Sequence, residues 1–278
     1  MEIQEIGVYW EVDSDNFLVN DYDKIELSDQ LQSICSLFVE EIREFVQSNT
    51  VSKEDIHSAY LRGSFLNGTN TIYSDINFLV LGPDSGSEEL LPYFNDHFSN
   101  LLKERFDIDI VVDTVIESVE FFLEDYLERF PIKCIWGEDL SLHRLDFDLI
   151  TNECLDGTEK EDCKYLFDRL NATMMAASVI DIVGGYEWHL RGPAFIENFF
   201  RCALNTVCKK KKLWTRDLYY CYYFFSEEYP QFKDAMKSLL ELYLNRDKSS
   251  EEIKDILLFA PPIIAFMEEN IGKPSRNK

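Results

Sequence analysis

The chain has 278 residues, 46% hydrophobic and 28% charged, and 27 Lys plus Arg against 52 Asp plus Glu give a formal net charge of −25. That apolar content excludes a disordered chain, and no apolar run approaches the ~20 residues of a membrane-spanning helix. So acidic a chain is repelled by nucleic-acid phosphates and favours cationic small molecules or basic protein surfaces, unless the surplus acid serves only solubility.

The length suffices for one large domain or two ordinary ones. The acidic opening MEIQEIGVYWEVDSD is unlike a signal peptide. Seven cysteines form no C-x-x-C pair, and their odd number fits a reducing compartment. The four histidines, His57, His97, His143 and His189, lack metal-ligand spacing, which argues against zinc. These features predict a cytoplasmic protein with no membrane or nucleic-acid partner.

In chain order, IGVYWEVDSDNFLVN reads as two short strands around an Asp-Ser-Asp-Asn turn. Apolar positions 31, 34, 35, 38, 42, 45 and 46 then follow a helical stripe. IHSAYLRG and DINFLVLG read as strands, the second ending in a Gly-Pro-Asp-Ser-Gly turn. ELLPYFNDHFSNLLKERF predicts a helix with Pro92 in its first turn. DIDIVVDT predicts a strand with Asp107, Asp109, Val111 and Asp113 on one face. Beyond FPIKCIWGEDL, Asp156-Gly157 marks a boundary, and the periodicity turns helical over about 160–183, 193–212, 214–227, 230–245 and 249–271. The expected fold class is α+β: a mixed-sheet domain over 1–155, a helical bundle over 156–271, and a disordered tail over 272–278.

The chemistry concentrates in LRGSFLNGTNTIYSDINFLVL, residues 61–81. Gly63-Ser64 ends one strand, and Asp75-x-Asn77 opens the next with both side chains on one face. A neighbouring strand carrying Asp109 would bring a third oxygen ligand close by. Such a cluster suits Mg²⁺, with nucleotide phosphates completing its shell, and a Gly-Ser turn lets backbone N–H groups approach a polyphosphate. Gly-Ser and Asp-x-Asn are also common turn residues, so from spacing alone a simple connection between strands is the more frequent use of such a stretch.

RGSFLNGTNTIYSDINFLVL resembles the signature of the nucleotidyltransferase superfamily, in which Gly-Ser and a second Gly precede Ser-Asp-x-Asp and an apolar strand. That superfamily includes DNA polymerase beta and the bacterial antibiotic adenylyltransferases. PIKCIWGEDL is similar to the segment after the third catalytic strand of the antibiotic-modifying members. LWTRDLYYCYYFFSEEYPQF is similar to their helical-domain stretch, where a basic residue opens a helix near the nucleotide phosphates. GVYWEVDSDNFLVN resembles the opening of stand-alone bacterial nucleotidyltransferases of similar size.

The resemblance implies that Gly63 and Ser64 hold a triphosphate while Gly68 lets the loop turn. It implies Asp75, Asn77 and Asp109 as metal positions, Asp75 and Asp109 being catalytic. Asp109 would be the third acid, as ligand or base, with Asp107 its rival and Asp113 a solvated strand end. Thr215 and Arg216 would reach the nucleotide's β and γ phosphates. Arg62 reads as a salt-bridging strand residue, and Lys209 to Lys212 as a charged helix end. Asn77 departs from the pattern, which places a second carboxylate there; an amide offers one carbonyl oxygen and no charge, so it bridges two metals poorly. One tightly held metal, a nucleotide-binding protein without turnover, and an Asp-to-Asn change introduced to trap a complex are all consistent with it.

The sequence carries no G-x-x-x-x-G-K-[ST] loop, no G-x-S-x-G elbow and no H-E-x-x-H. The aromatic run YYCYYFF reads as core packing rather than a stacking platform. The resemblance thus implies Mg²⁺-dependent transfer of a nucleoside monophosphate, AMP from ATP, to a hydroxyl of a small cationic acceptor of the aminoglycoside type. The active site is expected in a cleft between the two domains. The alternatives are a nucleotide-binding regulatory or antitoxin-like protein without turnover, and transfer to a protein.

Overall fold

The computed structural model describes residues 7–19, 25–49, 55–70, 74–82, 87–124, 131–141, 145–153, 160–180, 185–245 and 248–270. The sequence boundary at Asp156-Gly157, the turn residues 83–86 and the tail 272–278 lie outside them. The chain divides into two compact units, residues 20–143 and residues 1–19 with 144–278. This division differs from a cut at 155/156, because the first two strands pair with partners beyond residue 144.

Those strands are β1 (Trp10–Glu11) and β2 (Phe17–Leu18). The expected turn joins them: Asp13 Oδ1 accepts the N–H groups of Asp15 and Phe17, both at 2.9 Å. Asn16 there takes φ of 69°, a conformation that Asn tolerates better than most side chains.

The unit of residues 20–143 contains α1 (Asp29–Asn49), β3 (Ser58–Arg62), α2 (Ser64–Asn67), β4 (Ile76–Leu81), α3 (Leu91–Phe106), β5 (Val112–Glu117), α4 (Val119–Glu124) and β6 (Ile132–Gly137). Its strands form one four-stranded mixed sheet in the order β5-β4-β3-β6. β3 runs antiparallel to β4 and β6, whereas β4 and β5 are parallel. A parallel pair needs a crossover, which α3 supplies.

The two sheet faces are distinguished by alternation. Leu61 pairs with Phe78 in register, and Phe78 stacks on Phe38 of α1 at a centroid distance of 3.7 Å. Phe98 of α3 meets both rings edge-on, so α1 and α3 cover this face. Burying each such ring stabilises the unit by about 2 kcal/mol. Tyr60 and Leu79 point the other way, where Phe122 of α4 stacks on Tyr60 at 5.5 Å. Further along this second face come Arg62, Asn77 and Asp113, which are half-buried, half-buried and exposed. The second face is therefore apolar at one end and polar at the other.

The other unit adds β7 (Leu145–Asp146), α5 (Phe147–Glu153), α6 (Lys160–Ser178), α7 (Tyr186–Asn205), α8 (Cys208–Lys211), β8 (Leu213–Trp214), α9 (Leu218–Glu228), α10 (Lys233–Leu244), α11 (Ser250–Leu257) and α12 (Ala260–Asn270). β1 pairs antiparallel with β8, and β2 with β7. The helical character expected of the C-terminal part is present, with shifted boundaries. The helix expected over 193–212 spans 186–205, with Pro193 inside it. The helix expected from 214 starts at 218, because Leu213 and Trp214 are a strand against Glu11 and Trp10. The stretch expected as one helix over 249–271 is two: Pro261 and Pro262 fall in the first turn of α12, where their missing N–H groups break no intrahelical bond.

Among the described residues, no helix is long and apolar enough to cross a membrane. Cys35, Cys134, Cys202, Cys208 and Cys221 are free thiols. Burial pushes the thiols of Cys35 and Cys208 up to about 12, so neither is a ready nucleophile at neutral pH.

Candidate functional site

The polar end of the sheet gathers the Gly-Ser turn and the Asp-x-Asn segment. β3 ends at Arg62, and Gly63 turns the chain with φ of 78° and ψ of −157°, a conformation open essentially to glycine alone. The turn lies against Asn77: a Cβ on Gly63 would stand 3.2 Å from Asn77 Nδ2. Ser64 then starts α2, a single turn closed by Gly68 in the left-handed conformation, φ 69°. Gly63→Ala should therefore destabilise the protein by about 1–2 kcal/mol through backbone strain, read as a lower urea midpoint at unchanged slope. An unchanged midpoint would show that the turn relaxes without cost.

Asp75 directly precedes β4, half-buried, and Asn77 is the second residue of that strand. The Asn77 Nδ2 amide donates to Asp75 Oδ1 at 2.9 Å, so the two side chains share one side as the period-2 argument requires. In this arrangement the amide nitrogen of Asn77 faces the Asp75 carboxylate.

Asp107 and Asp109 lie outside the strand that carries Asp113. The strand expected from Asp107 starts only at Val112. α3 continues to Phe106 and ends on Asp107, whose φ of 57° and backbone N–H to the Leu102 and Lys103 carbonyls cap the helix. Asp107 and Asp109 thus precede the strand rather than alternating along it. The Asp109 carboxylate is bound by Lys103 Nζ at 2.8 Å and its side chain is 84% exposed. The Asp109 contact raises the Lys103 ammonium above its ordinary value.

The acid in register is Asp113, directly across the parallel ladder from Asn77. Strands in a sheet lie about 4.8 Å apart, and ladder partners project to the same face. Asp75, Asn77 and Asp113 therefore line one accessible edge beside Gly63 and Ser64. The signal for Asp113 was present in VVDTVIE, an apolar strand with one internal acid, once the helix before it is allowed to run to its αL cap. Among the described residues, no three His, Cys, Asp or Glu side chains converge as a metal cluster.

The remaining expected residues lie in the other unit. Thr215 is fully buried; its hydroxyl donates to the Val8 carbonyl at 2.6 Å and accepts from the Asp217 N–H at 3.0 Å. A hydroxyl has one proton, so Thr215 holds β8 and the N-terminal segment together rather than offering a donor to a phosphate. Asp217 adds to that junction by accepting the Val8 N–H at 2.6 Å. Arg216, between them, is half-buried on the link from β8 to α9.

Lys210, Lys211 and Lys212 of the run are each held by a partner distant in the chain. Lys210 pairs with Glu228, Lys211 with Glu227 at 3.0 Å, and Lys212 donates to Asn16 Oδ1 at 2.8 Å. Lys211 and the Tyr223 hydroxyl hold the Glu227 carboxyl below its ordinary range. In YYCYYFF, Cys221 and Phe225 are fully buried, whereas Tyr223 is 39% exposed. The run is thus mostly core, with one ring at the surface.

The α+β class and the mixed sheet of the first unit stand as expected. No family model and no curated protein matches the chain.

Proposed function

We propose that the edge formed by Gly63, Ser64, Asp75, Asn77 and Asp113 binds a nucleoside triphosphate and transfers its nucleoside monophosphate, AMP from ATP, to an acceptor hydroxyl. The observation that carries this reading is the Gly63 turn seated against Asn77, with Asp75 and Asp113 on the same sheet face. A strained glycine turn beside accessible carboxylates matches what phosphoryl transfer requires: backbone close to phosphate, and acids to hold a metal and accept a proton.

The donor set suits one Mg²⁺ ion, because Mg²⁺ is held by one or two carboxylates plus substrate phosphates. Asp75 and Asp113 would hold it, and once bound it would neutralise charge developing on the transferred phosphate. The set does not suit a bridged pair of ions, since position 77 contributes an amide whose nitrogen faces Asp75. The backbone at Gly63 and Ser64 orients the phosphates. Asp75 is itself oriented by the Asn77 amide. Asp113, the more exposed acid, accepts the proton leaving the acceptor hydroxyl. The acceptor class rests on the family resemblance together with charge: a chain at −25 concentrates polycations, so a small cationic molecule of the aminoglycoside type is favoured over nucleic acid.

The four common nucleoside triphosphates, each at millimolar concentration with Mg²⁺, form the test. At least one should raise the melting temperature by several degrees, because a ligand bound only to the folded state stabilises it by mass action. If none does, with or without Mg²⁺, the proposal is wrong. Triphosphate binding without pyrophosphate release on any aminoglycoside or protein acceptor would instead favour a nucleotide-binding regulatory protein, a role the amide at position 77 suits.

A further inference from the structure

We propose that the cleft between α1 and α3 is a second binding site, one for a small organic cation of the quaternary ammonium kind. The cleft has a volume of about 290 Å³ and lies within the unit of residues 20–143. It is separate from the edge described above, because α1 and α3 cover the sheet face opposite to Asn77 and Asp113. Helical spacing builds it. Glu44 and Phe45 follow Glu41 by three and four residues, so all three share one side of α1. On α3, Tyr93, Phe94 and His97 line the other wall. Phe45 meets Phe94 at a centroid distance of 5.0 Å, and Phe94 is buried, so these two rings close the bottom. Tyr93 is 73% exposed and leaves its ring open to a ligand.

The two carboxylates differ. His97 Nε2 stands 3.6 Å from Glu41 Oε2, so that acid has a partner. Glu44 has none among the described residues. The lining contains no lysine or arginine. A carboxylate beside ring faces, which carry the negative part of the aromatic quadrupole, selects a cation over an anion or a neutral molecule. The volume is near the lower end for ligand pockets, about 300 Å³, which limits the ligand to a small molecule. A hydrated metal ion is a poorer fit, because aromatic carbons cannot replace the oxygen ligands it gives up. Alkyl groups on a nitrogen bury against Phe45 and Tyr93 while the charge stays close to Glu44.

The test is a ligand-observed NMR titration of the full chain with choline, and with the uncharged alcohol in which carbon replaces choline's nitrogen. Choline should bind saturably at millimolar concentration, and the alcohol at least tenfold more weakly. Glu44→Gln should weaken choline binding at least fivefold, and Tyr93→Ala at least threefold. Both side chains are exposed, so the two variants should melt within a few degrees of wild type. Glu104→Gln makes the same change of charge in the last turn of α3, and should leave the affinity within twofold. Absence of saturable choline binding would overturn the proposal, as would equal affinity for the alcohol. A loss in Glu44→Gln no larger than that in Glu104→Gln would also overturn it, by showing only a diffuse effect of net charge. Each outcome is independent of the triphosphate reading, whose residues these variants leave untouched.

Discussion

Asp113→Ala should lower nucleotidyl transfer at least a hundredfold, about 2.7 kcal/mol of barrier, while Asp109→Ala should change it less than twofold. The contrast follows from where α3 stops. Asp113 is in register with Asn77, on the face that carries Asp75, whereas Asp109 is exposed and held by Lys103 before the strand begins. A group that takes the acceptor's proton is worth about 10²–10⁴ in rate, and one that also holds the metal is worth no less. The measurement is pyrophosphate release with the best-binding triphosphate and a panel of aminoglycosides. A large loss in Asp109→Ala beside a mild one in Asp113→Ala would return the third-acid role to Asp109 and show that the loop before β5 rearranges on binding.

Asn77→Asp should make the protein depend on Mg²⁺ for stability and lower the Mg²⁺ concentration for half-maximal effect at least tenfold, about 1.4 kcal/mol of binding. The wild-type amide donates to Asp75 at 2.9 Å. A carboxylate there turns an attractive contact into two acceptors facing each other, which disfavours the metal-free state and favours a cation between them. Without Mg²⁺ the variant should melt below wild type, and millimolar Mg²⁺ should close the gap. Thermal unfolding across a Mg²⁺ titration, with Ca²⁺ as a comparison ion, reads this directly. Equal melting temperatures in EDTA would show that residues 75 and 77 move apart easily, and the amide would then not be what orients Asp75.

The two predictions separate two kinds of information. Several elements of the sheet unit were legible because each has a local cause. The stripe from Leu31 to Val46 makes a helix, with Phe38, Ile42 and Val46 fully buried. The runs SAYLR and INFLVL make strands, and Pro92 sits in the first turn of its helix as its missing N–H allows. The Asp-Ser-Asp-Asn turn follows from side-chain bonds spanning two to four residues. The turn at Gly63 was readable too, whereas its φ of 78° and its approach to Asn77 were not.

What a sequence determines here is what neighbours within a few residues can enforce: helical and strand periods, turns, and the side-by-side placement of Asp75 and Asn77 two residues apart. Three matters depended on partners distant in the chain. Asp113 lies across from Asn77 because a parallel ladder sets Val112 against Ile76, a register that no local pattern specifies. The Thr215 hydroxyl is engaged by the Val8 carbonyl, 207 residues away in the chain. The first two strands joined the helical unit because β8 and β7 offered edges for pairing. Ladder register and long-range hydrogen bonds reward residues only once the chain has closed large loops, so they are decided by tertiary packing and not by the residues beside them.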